Sequence, residues 1–138
     1  MTVVVWALVV ALVLIAIQHV VWMISPWPLR TPEELARKVV GVEADRLPSR
    51  PLTFGVVVLL AAAAYLVAAR GGLVDAPGPE WLVTVGAGGV AVVLLARGLS
   101  GMATSLRRDT EFAHWDVRIY SPLSLTLGVL GAVVTLLA

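Results

Sequence analysis

Two groups of residues in this chain have the side chains and spacing to do chemistry. The first is Gln18, His19 and Trp22, with Ser25 below them. Gln18, Trp22 and Ser25 recur at i, i+4 and i+7, so a helix puts them on one face with His19 beside it. Desolvation disfavours a charged imidazole. A neutral His19 can relay a proton, hold a ligand or bond a neighbouring helix. The second group runs from Asp109 to Pro122 and on to Ser124. Asp116 and Arg118 supply charge there, Tyr120 and Ser124 supply hydroxyls, and Trp115 supplies a face for developing positive charge. Arg97 stands at the same depth. The candidate ligand-binding residues are therefore Gln18, His19, Trp22, Arg97, Trp115, Asp116, Arg118, Tyr120 and Ser124. None is assigned a catalytic role.

Several chemistries find no support. The chain has no cysteine, hence no disulfide, thiolate metal site or cysteine nucleophile. His19 and His114 lie at different depths, which argues against bis-histidine haem, and no metal or cofactor is expected. There is no Walker loop, dinucleotide fingerprint, HExxH or GxSxG.

The elements that must position these residues are four charge-free apolar stretches: Thr2–Ile24, Leu52–Ala69, Trp81–Ala96 and Ser121–Ala138. A helix needs about 20 residues to cross a hydrocarbon layer of about 30 Å. Hydrophobic residues make up 59% of the chain and charged residues 14%, well under the share of a soluble domain. The expectation is an all-α integral membrane protein, residues 1–138 forming one compact bundle of four transmembrane helices. Those helices span about 2–24, 52–69, 81–102 and 121–138. The first is read as a retained helix, since it lacks the basic flank and short apolar core of a signal peptide.

Nine of the ten basic residues fall in residues 25–50 and 97–120, and Arg70 alone in residues 70–80. Basic loops favour the cytoplasm, so both termini are expected outside and the two basic loops inside, in the plasma membrane. The same rule accounts for the basic residues without nucleic acid.

Within the first loop, Thr31-Pro32-Glu33-Glu34 reads as a helix start with a capping box. Leu35, Val39 and Val42 then recur at i, i+4 and i+7, which predicts a short amphipathic helix, about Pro32–Val42, at the cytoplasmic interface. Phe112, Trp115 and Ile119 fall at i, i+3 and i+7, the pattern of a second segment lying on the membrane surface. The third apolar stretch is too short to span unless it continues past Arg97, where a guanidinium near hydrocarbon calls for snorkelling or a partner such as Asp116 or Asp109. Pro51-Leu52-Thr53 and Pro122-Leu123-Ser124 open helices two and four alike, as two hairpins related by an axis along the membrane normal would. Gly86, Gly88, Gly89, Gly128 and Gly131 offer small faces for helix contact.

His19-x-x-Trp22, Ser25-Pro26-Trp27-Pro28, Ala36–Gly41 and above all Trp115-Asp116-x-Arg118-x-Tyr120-Ser121-Pro122-Leu123 carry a likeness to a known family. It resembles a small bacterial membrane family catalogued as domain of unknown function 3995. The resemblance implies four membrane helices and no established activity. The chain carries His114 and Ser124 where the family pattern has an arginine and a cysteine, so neither position is carried over as catalytic.

Three functions follow as expectations. The first is binding of a lipid or other amphiphile in a polar pocket at the cytoplasmic end. The second is an intramembrane enzyme acting by acid/base chemistry on an isoprenoid- or sterol-like substrate. The third is a subunit of an oligomeric transporter or channel. Membrane lipids are the expected partners, with a hydrophobic small molecule and a second copy of the chain as further candidates.

Overall fold

The structure is a computed structural model that describes residues 1–138, apart from the side chain of Ala44. All its regular elements are helical. Helix α1 spans Thr2–Trp22. Helix α2, Pro32–Leu35, runs directly into a π-helical turn, Ala36–Val40, followed by a short 3-10 turn, Ala44–Arg46. Helix α3 spans Arg50–Arg70 and α4 spans Glu80–Ser105. Helix α5, Glu111–Trp115, passes through a second π-helical turn, Asp116–Tyr120, into α6, Ser121–Leu137.

Four helical stretches are long and apolar enough to cross a membrane, and α5, its π turn and α6 together form the last, Glu111–Leu137. This is a multi-pass membrane architecture. Helix α4 continues eight residues past Arg97, as its length required.

The four spanning helices form two antiparallel hairpins, α1 with α3 and α4 with α6. The pairs α3–α4 and α1–α6 then close the bundle, while α1 and α4 lie diagonally apart. Val5, Leu8 and Leu12 of α1 pack with Ala64 and Val67 of α3 and with Leu127 and Val134 of α6, forming the core. The second hairpin meets through alternating small and large residues. A side chain at Gly98 would strike Leu125, one at Gly128 would strike Leu95, and Gly131 faces Ala91. Small residues let two backbones approach closely where lipid gives no hydrophobic drive.

Both hairpins turn through the same device at one end. Thr31 and Thr110 accept from the backbone N–H three residues on, at 3.1 Å each, and so cap α2 and α5. Each short helix then loosens into a π turn before its spanning helix begins. These two elbows define what is here termed the elbow end of the bundle.

Two details differ from the sequence reading. The amphipathic helix is only partly α-helical and stops at Gly41, whose φ of 80° a side chain would resist; Val42 lies beyond it. The segment around Phe112, Trp115 and Ile119 is continuous with α6 rather than a separate surface element, because the π turn absorbs the change in phase without a break.

Candidate functional site

The π turn of the second elbow carries the most polar buried group in the chain. The backbone N–H of Ser121 bonds to the carbonyl of Asp116, an i to i+5 bond that stacks these two residues on one face. Their side chains therefore meet, and Ser121 Oγ donates to Asp116 Oδ1 at 2.9 Å. Arg97, from α4, donates through Nη2 to the same oxygen at 2.9 Å and through Nη1 to Ser121 Oγ at 3.3 Å. Ser105, two turns further along α4, donates to Asp116 Oδ2 at 2.5 Å. Gly101 makes room, since a Cβ there would collide with Ser121 Oγ and Arg97 Nη1.

The Asp116 side chain is 1% exposed and that of Arg97 is 43% exposed. A carboxylate this deep is tolerated because both oxygens accept strong, partly charge-assisted bonds. The arrangement locks α4 to α6. It leaves Asp116 no free oxygen with which to move a proton.

The group on α1 is satisfied locally. Gln18 Nε2 and Trp22 Nε1 both donate to the carbonyl oxygen of Trp27, at 2.8 and 2.9 Å, pinning the start of the first loop under α1. His19 Nδ1 lies 2.8 Å from the carbonyl of Ile15, a pure acceptor, so Nδ1 carries the hydrogen of this bond. The ring meets that of Trp22 edge-on at 5.0 Å.

The remaining candidates divide. Tyr120 stacks on Phe112 and donates to the carbonyl of Lys38 at 3.0 Å, joining the two elbows. Trp115 meets His114 edge-on and is partly exposed. Arg118 is exposed, and neither it nor Ser124 makes a side-chain hydrogen bond among the described residues. The structure thus joins Arg97 to Asp116, ties Tyr120 to the other elbow, and keeps Gln18, His19 and Trp22 on the opposite hairpin.

The cavity at the elbow end lies elsewhere, between the elbows, with a volume of about 370 Å³. Arg37, Glu43, Arg46, Arg108, Glu111 and Phe112 line it, and none of the nine sequence-derived candidates does. Across it, Arg37 Nε donates to Glu111 Oε2 at 3.0 Å. A shallower hollow of about 500 Å³ at the other end is lined by Arg70, Glu80, Trp81, Thr84 and Val85. Arg70 there donates twice to the carbonyl of Thr135, which occupies it at the end of α6.

Sequence reasoning passed over Ser105 and Gly101, although Gly98, Gly101 and Ser105 share one helical face by their spacing. It also counted the cavity arginines only as topology signals.

A family model described as a protein of unknown function, DUF3995, matches residues 12–131. The chain belongs to the DUF3995 family. The matched stretch holds the Arg97–Asp116 cluster, the Gln18–Trp27 contacts and both elbows of this DUF3995 protein. No curated protein and no solved structure matches the chain.

Proposed function

We propose that this protein binds an amphiphile at the elbow end, with the polar group in the inter-elbow cavity and the tail along the helix faces. The observation that carries the reading is the cavity itself, which sets Arg46 and Arg108 beside the apolar Val42 and Phe112 at the end of four membrane spans. Sites for amphiphiles combine an apolar wall with a few placed polar groups. Packing supports the same reading. Buried residues of α1 stop at Ala16 and those of α3 begin at Ala64, so the stretches of both helices nearest the elbows hold no fully buried side chain. In this reading the apolar tail lies along those less buried stretches.

The basic loops give the elbow end a cytoplasmic orientation, with both termini outside. In that frame the cavity faces the anionic inner leaflet. A reporter fused after Ala138 is expected to be active only outside the cytoplasm. Acid/base catalysis is the less supported alternative, because Asp116 has both oxygens engaged and His19 shares no cavity with it.

Mass spectrometry of lipids extracted from the purified chain tests the reading. A retained amphiphile class is expected, depleted by Val42→Trp, which fills the cavity from an exposed position. An unselective sample of membrane lipids, unchanged by that substitution, would overturn it.

A further inference from the structure

Three arginines line the inter-elbow cavity, and one of them already holds a carboxylate. Arg37 pairs with Glu111 at 3.0 Å, with both side chains at least half exposed. Water competes for such a pair, so it holds weakly. Arg46 and Arg108 line the same cavity and form no ion pair among the described residues. Glu43, also in the lining, engages none of them within that set.

We propose that the cavity takes the phosphate group of an anionic phospholipid, and that the Glu111 carboxylate holds the place of that phosphate on Arg37 until the lipid displaces it. The proposal rests on the amphiphile reading above and names its headgroup. A guanidinium binds carboxylate and phosphate through the same planar fork. Arg46 and Arg108 line the same cavity and offer further donors to a phosphate, whereas the Glu111 carboxylate pairs with Arg37 alone among the described residues. A lipid is the source because Val42 and Phe112 give the cavity an apolar wall beside its arginines, which a free anion would not use.

The exchange also has a mechanical side. Arg37 and Glu111 belong to different elbows, 74 positions apart. Displacing Glu111 removes one tie between the hairpins and leaves the Tyr120–Lys38 bond and the contact of Phe112 with Gly41.

The test uses the full chain in detergent micelles, titrated with dioleoylphosphatidic acid or dioleoylphosphatidylcholine and read by native mass spectrometry. Phosphatidic acid is expected to bind roughly tenfold more tightly, the scale of one well-placed charge-assisted contact. The double substitution Arg46→Gln/Arg108→Gln should abolish that preference. Glu111→Gln should strengthen phosphatidic acid binding several-fold and leave phosphatidylcholine unchanged. A Glu111 that merely ties the elbows gives the opposite sign or no change, and either result overturns the proposal. Equal binding of the two lipids overturns it while leaving the amphiphile reading intact, whereas binding of neither removes both. Displacement of phosphatidic acid by an equal concentration of inorganic phosphate would overturn the lipid assignment.

Discussion

Tyr120 donates its hydroxyl hydrogen to the carbonyl oxygen of Lys38 at 3.0 Å, joining two π turns that lie 82 positions apart in the chain. The tyrosine ring stacks on Phe112, whose own ring covers Gly41, so bond and stack together clasp the elbows. Tyr120→Phe keeps the stack and removes only the bond. A loss of about 0.5–1.5 kcal/mol is expected, seen as a lower thermal midpoint in tryptophan fluorescence. Lys38→Met should leave this bond in place, because the acceptor is main-chain. An unchanged Tyr120→Phe midpoint would show that solvent replaces the bond without cost.

The spanning helices were legible in the sequence because lipid demands long apolar runs, and Thr2–Trp22 or Arg50–Arg70 satisfy nothing else. The partnership of Arg97 was legible too. A guanidinium eight residues inside a continuing helix needs an acceptor, and Asp116 was within reach. The π turns were not legible. Periodicity arguments assume α-helical phase, and the bonds that Asp116 in the second turn makes to Arg97 and Ser105 come from another helix. The cavity was hidden for a similar reason, since Arg37 and Glu111 meet only through tertiary folding.

The glycines separate by what surrounds them. A Cβ on Gly98 would come within 2.9 Å of the Leu125 backbone nitrogen, and one on Gly128 within 2.9 Å of that of Leu95. Backbone cannot move aside as a side-chain tip can, so Gly98→Ala and Gly128→Ala should each cost about 1–3 kcal/mol. Gly55 and Gly89 meet nothing within 4 Å. Alanine there should be neutral or stabilise by about 0.5–1 kcal/mol, through its better helix propensity. Equal effects in the two sets, measured by denaturant unfolding, would show that the α4–α6 approach is not close in solution.

Glu34 gives the first elbow a pH dependence. Its carboxylate accepts from Lys38 Nζ at 3.0 Å and from the Arg30 backbone N–H at 3.3 Å. The Lys38 bond first, and the Arg30 bond second, hold its pKa below the ordinary carboxylate value. A depressed folded pKa stabilises above the unfolded value, and that contribution disappears as pH falls through the folded one. The wild-type midpoint should thus exceed that of Glu34→Gln at neutral pH, and the gap should close as pH falls below the carboxylate range. A gap that persists in acid would assign the effect to packing.

The Arg97–Asp116 pair is unequal, and its two halves should not cost the same to remove. Asp116 is 1% exposed and Arg97 is 43% exposed. Asp116→Ala frees a guanidinium that can extend to headgroups and water, so its cost is limited to about 1–3 kcal/mol. Arg97→Ala leaves a buried carboxylate with only the hydroxyls of Ser105 and Ser121, and the penalty for a stranded buried charge is about 3–5 kcal/mol. Solvent access through the arginine side lowers both figures but not their order. The double variant strands no charge, leaving only the hydroxyls of Ser105 and Ser121 without their acceptor, so it should be more stable than Arg97→Ala alone. Unfolding midpoints of the four proteins form a double-mutant cycle that reads this coupling. If Arg97→Ala proves the milder single change, the two serines satisfy the Asp116 side chain without the guanidinium, and the pair does not hold α4 to α6.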